Sequence, residues 1–243
     1  MQHYQRYIAL ILLLFCASSV HADPARKKIT FMCSLATSLP AYREFEDRYR
    51  QAFAAMGYDF SMISASTQRA LIDANNGTAD GDCARTDYFL TSEQTSNLLK
   101  VDVKMTTTEL SAWSHDPNLK LHTASELKNS PLKIGYPRGH LMSDKFMADN
   151  GLTPHLLTTD TNIAIKMLSA RRYDVLLAST DMVNQYLPGI HLRQKIYKVG
   201  VLQLLDIYPF MNKKHQALIP QFTEELRKLV PPEGIPIEGR KTE

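Results

Sequence analysis

From Lys28 onward, short apolar runs alternate with amphipathic stretches that end at glycine, and this order constrains the fold more than any other feature of the 243-residue chain. Ile29 to Cys33 reads as a strand. Ser38 and Pro40 open a helix in which Tyr42, Phe45, Tyr49, Phe53 and Met56 recur at spacings of three and four until Gly57 stops it. Tyr58 to Ile63 alternates as a second strand, Ser66 caps a helix that ends at Gly77, and Ala79 to Ala84 is a third strand. This β-α-β-α-β order predicts a parallel sheet with crossover helices, so ligands would gather at the carboxyl ends of its strands.

A second set of the same kind follows the Pro-, Asn- and Ser-rich stretch from His115 to Ser130. Leu132 to Tyr136 is a strand, Leu141 to Asn150 a helix stopped by Gly151, and His155 to Thr158 a short strand. A helix over Ile163, Met167 and Leu168 and the strand Tyr173 to Ala178 complete it. Two extended segments, Val101 to Leu110 and Lys195 to Tyr208, join the halves, and a double crossing implies a hinge. A last helix with Leu218, Phe222, Leu226 and Leu229 returns to the first half before Pro231-Pro232. The expected division is lobe one over 28–107, lobe two over 108–200, a return segment over 201–231 and a loose tail over 232–243.

The first 22 residues read as a signal peptide. Arg6 precedes the apolar run Ile8 to Phe15, and Val20-His21-Ala22 supplies a cleavage site, so the mature chain begins at Asp23 in the periplasm. The run is too short for the roughly 20 apolar residues of a spanning helix. A formal charge of +3 is too mild for nucleic-acid binding; Arg26-Lys27-Lys28, Arg171-Arg172 and Lys213-Lys214 read as solvated surface. Export places Cys33 and Cys83 in an oxidising compartment, where a disulfide is the favoured state and two buried thiols the alternative.

The leader, the two lobes, the double crossing and the segments NNGTADGDCAR (75–85), LKIGYPRG (132–139), IAIKMLSARRYDVLLASTD (163–181) and DIYPFMNKKHQALIPQFTEELRKL together resemble the bacterial extracellular solute-binding proteins of family 3. The resemblance implies an α/β, two-lobed type II periplasmic binding fold that closes on a ligand by hinge motion. It also implies that a lobe-two aspartate holds the amine of an amino acid, and Asp181 matches it in position; the alternative for Asp181 is a helix N-cap. The family's lobe-one carboxylate arginine is displaced here. Arg85, right after the third strand, is the residue left to serve, and its alternative is an ion pair with Asp82 or Asp87.

The stretch Tyr136-Pro137-Arg138-Gly139-His140 opens a helix and suits an anion, or else merely shapes a tight loop. Thr159 offers a hydroxyl contact or a capping turn, and Tyr42 an aromatic wall or core packing. No G-x-S-x-G or H-E-x-x-H motif is present and the six histidines after residue 22 are scattered, so a hydrolase is disfavoured and neither cofactor nor metal is expected. The expectation is a monomeric periplasmic protein that binds a small anionic or zwitterionic solute. It would deliver the solute to an inner-membrane permease or, alternatively, report it to a sensor partner.

Overall fold

The structure, a computed structural model, describes residues 26–86, 95–138, 140–158 and 160–236. The proposed leader and the positions Asp87, Gly139 and Thr159 lie outside the described residues.

Strands β1 (Lys28–Cys33), β2 (Asp59–Ser64) and β3 (Gly81–Arg85) form a parallel set with β1 in the centre. Helices α1 (Pro40–Ala55) and α2 (Thr67–Asn76) make the crossovers. The periodicity of α1 buries Ala41, Tyr42, Phe45, Tyr49, Ala52 and Phe53 on one face. The Tyr49 and Phe53 rings meet Phe31 and Phe60 from the sheet and Phe222 from the last helix, α7 (Ile219–Arg227), with centroids 4.2 to 6.1 Å apart. Such pairs contribute about 0.5–1.5 kcal/mol each beyond their burial, so α7 is locked into the first lobe's core. Gly81 is required at the start of β3, because a Cβ there would lie 2.4 Å from the Phe210 carbonyl oxygen and 2.5 Å from the Phe31 ring.

The second lobe repeats the plan with β6 (Ile134–Pro137), β7 (Leu156–Thr158) and β8 (Val175–Ser179), all parallel. Helices α4 (Leu141–Asp149), α5 (Thr161–Ser169) and α6 (Thr180–Tyr186) follow β6, β7 and β8 in turn. Between the two sets lie β5 (Thr106–Ser114) and β9 (Tyr197–Asn212), paired antiparallel from Thr106↔Ile207 to Ser114↔Tyr197. β9 continues into the first lobe, pairing with β3 and with the short β4 (Leu98–Lys100), which gives the order β2-β1-β3-β9-β5-β8-β6-β7. These are the two hinge crossings. Separate cores sit beneath the two sets of helices, one around Phe31, Phe45 and Phe222 and others around Leu110, Phe146 and Leu177 and around Ile165, Leu168 and Leu176.

Two differences from the sequence reading have local causes. The third strand begins at Gly81 rather than Ala79, because Asp80 turns its carboxylate onto the Thr30 N–H at 2.8 Å. The irregular stretch before β6 contains a short helix, α3 (Ala124–Lys128), built on a capping box: Thr123 Oγ1 accepts from the Glu126 N–H and Glu126 Oε2 accepts from the Thr123 N–H.

Candidate functional site

The carboxyl ends of β3 and β8 both reach the β5–β9 crossing, with Arg85 opposite Tyr208 and Ser179 opposite Leu110, and the side chains at these ends and at those of the neighbouring strands β1, β6 and β7 form the candidate site. Its lobe-one wall is braced by a disulfide. Cys33 and Cys83 lie on the adjacent strands β1 and β3 with Cα atoms 5.0 Å apart, and both are fully buried. The bridge is therefore present. Just beyond it, Arg85 is 5% exposed; its Nε and Nη2 donate to Asp82 Oδ2 at 2.8 and 2.7 Å, and Nη2 also donates to the Thr67 carbonyl at 2.9 Å. The ion pair that the sequence left open is thus formed. Asp82 matches the guanidinium charge, and the pair fastens β3 to the start of α2.

Tyr42 donates its hydroxyl to the Met62 carbonyl at 2.8 Å and packs in the first core, the second of its two sequence readings. Tyr136 is 5% exposed in the second lobe's core, and burial, followed by its hydrogen bond to Asp144, pushes its hydroxyl up to about 12. Arg138 is exposed at the end of β6. Beside the undescribed Thr159, Asp160 caps α5 by accepting the Ile163 N–H at 2.8 Å, which is the capping turn the sequence offered.

Asp181 sits in the first turn of α6. The cap of that helix is Ser179, whose hydroxyl accepts the Met182 N–H, so Asp181 is not the cap. Its Oδ2 instead accepts from the Thr108 hydroxyl of the crossing strand at 3.0 Å. Next to it, Thr180 Oγ1 donates to Glu109 Oε2 at 2.8 Å and lies 2.8 Å from Ser111 Oγ, while Lys198 pairs with Glu109 at 3.2 Å. A network of hydroxyls and carboxylates thus joins the lobe-two helix start to the hinge.

The residues missed by the sequence reading are the more informative ones. Among the described residues, six buried polar side-chain atoms lack a hydrogen-bond partner, and three of them lie at this rim: Thr86 Oγ1 just past β3, His140 Nε2 at the start of α4, and Asn162 Oδ1 in the first turn of α5. Leaving such a group unmade costs about 1–3 kcal/mol, so each of the three is a point at which water or a ligand would supply the missing partner. The His140 tautomer follows from its neighbours. Ser143 Oγ spends its one proton on the Leu177 carbonyl at 3.0 Å, so at 2.7 Å it must accept from His140 Nδ1–H. Nε2 then carries a bare lone pair, and burial lowers the ring's pKa to about 4, which keeps it neutral near pH 7.

The lobe-two rim therefore presents acceptors: His140 Nε2, Asn162 Oδ1 and the Asp181 carboxylate. That arrangement suits the N–H groups of an ammonium or amidinium. A hollow of about 350 Å³ lies elsewhere, lined by His122, Phe146, Asp149, Asn150, Leu202 and Gln203, none of which lies at the carboxyl end of a parallel strand. No group of three or more His, Cys, Asp or Glu side chains among the described residues is placed to hold a metal, and no described helix is long and apolar enough to cross a membrane.

No family model matches the chain. A protein of Shewanella oneidensis, described as uncharacterized, is 26% identical over 186 residues, covering 74% of this chain and 69% of that one. Among solved structures, a histidine kinase sensor domain with similarity to periplasmic binding proteins superposes with a TM-score of 0.67 at 13% identity, over 84% of this chain and 90% of that one. The arginine-bound form of ArgBP from T. maritima gives 0.61 at 11%, over 83% and 96%. A substrate-binding protein of an ABC uptake transporter from Streptococcus pneumoniae, with bound histidine, gives 0.58 at 18%, over 83% and 86%. These likenesses, with the strand order and the double crossing, establish that the chain has the two-lobed fold of the type II periplasmic binding proteins.

Proposed function

We propose that the protein is an exported receptor that captures a small zwitterionic, amino-acid-like solute between its lobes and delivers it to a membrane transporter. The observation that carries this reading is that Thr86 Oγ1, His140 Nε2 and Asn162 Oδ1, each buried and without a partner, all follow the carboxyl ends of sheet strands, in a fold shared with ligand-binding proteins. Asp181 and the His140 acceptor take the amine of the ligand. Arg85 and the Arg138 loop flank its acid end, with Arg85 set in place by Asp82. A second reading, a sensor that reports the same ligand to a signalling partner, is supported by the likeness to the histidine kinase sensor domain.

The test is a thermal-shift series with L-arginine and L-histidine, run beside native mass spectrometry of freshly purified protein for a co-purified small molecule. A ligand at a hundred times its Kd adds about 2.7 kcal/mol to the apparent stability, a Tm rise of several degrees. Asp181→Asn is expected to remove that rise while leaving the ligand-free Tm within about 2 °C. A rise that survives Asp181→Asn unchanged overturns the site. Protein that carries no small molecule and is stabilised by neither amino acid counts against the receptor reading.

A further inference from the structure

The far end of lobe two, opposite the cleft, gathers cations that are dispersed in sequence. Lys133 precedes β6, Arg171 and Arg172 lie between α5 and β8, and Arg193 and Lys195 precede β9; all five are exposed. Backbone contacts bring the three segments together. The Lys133 carbonyl accepts the Asp174 and Val175 N–H groups at 2.9 and 3.1 Å, the Arg193 N–H donates to Ser169 Oγ at 3.4 Å, and Arg171 Nε donates to Gln194 Oε1 at 2.7 Å. None of the five forms an ion pair among the described residues, whereas elsewhere Arg48, Arg50, Arg69, Arg85, Lys145, Lys198, Lys214, Arg227 and Lys228 do, and the unpaired Arg43 and Lys213 are not gathered with other such cations. The acidic neighbours are Asp174, whose carboxylate accepts the Lys133 N–H at 2.8 Å, and Asp116, whose carboxylate accepts the Asn118 N–H.

A second observation is independent of charge. Helices α1, α4 and α5 close with the same pair of hydrogen bonds: the residue after the cap donates back to the second-last carbonyl of the helix, and the next residue to the one before that. In α1 and α4 that left-handed residue is Gly57 or Gly151. In α5 it is Arg171, at φ 56°, the one non-glycine residue with positive φ among those described. An arginine held where glycine is unstrained implies that its side chain serves a purpose outside the turn.

We propose that this end of lobe two docks on the surface of an anionic phospholipid bilayer. The patch is built from three loop tips. None of the exposed large apolar side chains among the described residues, Ile63, Ile72, Leu157, Ile163, Tyr186 and Leu204, falls within 131–133, 170–174 or 190–195. A protein partner would be expected to find an aromatic or apolar anchor there, whereas a diffuse negative surface needs just the charge. Docking by this end leaves the cleft facing away from the contact, so it does not depend on the receptor reading.

The experiment is co-sedimentation of the chain beginning at Asp23, which keeps every described element, with vesicles of phosphatidylcholine alone or mixed with phosphatidylglycerol. Binding is expected to the mixed vesicles, and to vanish near 1 M salt, where the screening length is about 3 Å. Each neutralised cation should weaken it about fivefold. The triple variant Arg171→Gln, Arg172→Gln, Arg193→Gln carries the main comparison. Arg171→Gly is the second: it should weaken vesicle binding about fivefold yet raise Tm by about 2 °C by relieving the turn. Equal binding to both vesicle types, unchanged binding by the triple variant, or loss of binding with Lys27→Gln and Lys28→Gln instead would overturn the proposal.

Discussion

Strand β3 has two ends, and the chain treats them in opposite ways. At its amino end Asp80 accepts from the Thr30 N–H at 2.8 Å, His215 Nε2 at 2.7 Å and Lys214 Nζ at 2.8 Å, while its own N–H donates to the Thr30 carbonyl. Asn212 Nδ2 closes the same end by donating to the Ala74 and Asn75 carbonyls of α2 at 2.8 and 3.0 Å. At the carboxyl end, and at the matching ends in lobe two, Thr86, His140 and Asn162 each keep a buried polar atom without a partner. Saturated hydrogen bonding at the base fixes a lobe; unfilled capacity at the rim is what a ligand can complete.

The largest expected effect tests whether the rim's own bracing is needed. Removing the disulfide with Cys33→Ala and Cys83→Ala should cost about 2–4 kcal/mol and lower Tm by about 5–15 °C, by the entropy of the loop it closes. Differential scanning calorimetry with and without reductant checks this; a Tm unmoved by both treatments would show that the rim is held by packing alone.

The next contrast is in acid. His140 has its folded pKa depressed to about 4, against about 6.5 unfolded, because burial disfavours its charged form. The unfolded chain takes up that proton first, so stability falls as pH drops from about 6.5 to 4, by up to roughly 3 kcal/mol. Urea titrations at pH 7 and 4.5 should show a smaller loss for His140→Gln than for the unaltered protein. Equal losses would remove His140 from the buried rim.

Asp80 behaves in the opposite sense and in a different window. Burial alone would raise its pKa, but the hydrogen bonds from Lys214, His215 and Thr30 outweigh it and leave the carboxyl below 3.8. Its contribution is complete above that ordinary value and is lost as pH falls through the lowered one. Asp80→Asn should therefore cost about 1–2 kcal/mol at pH 7, measured by urea denaturation. A cost no larger than that of Thr86→Ala would erase the contrast between the two ends.

Much of the architecture was readable because its signals are local. The stripe Tyr42, Phe45, Tyr49 and Phe53, the glycine stops at 57, 77 and 151, and the two polar-apolar crossing segments each specify an element without knowledge of its partners. The Cys33–Cys83 bridge was expected from the oxidising compartment that a leader implies, and the adjacency of β1 and β3 supplies its geometry. The site was less legible. Arg85 and Asp82 are three residues apart, a spacing that offers ligand contact and ion pair equally, and three-dimensional burial decides for the pair. His140 is one of the six scattered histidines after residue 22, and its significance arises from Ser143 and the distant Leu177 carbonyl. Lys213-Lys214 looked like solvated charge, yet Lys214 reaches back 134 positions to Asp80, and His215 beside it reaches the same carboxylate. The hydroxyl run Thr106-Thr107-Thr108, which opens the strand, was the overlooked cue to the hinge network.

The sixteen-residue span of β9 is hydrogen-bonded to β5 along one stretch and to β3 and β4 along another. Neither half of the molecule can slip lengthwise on it without breaking rungs of a ladder. Relative travel is thereby restricted to flexing and torsion of a single ribbon, so a displacement begun at one wall reaches the other as an angle.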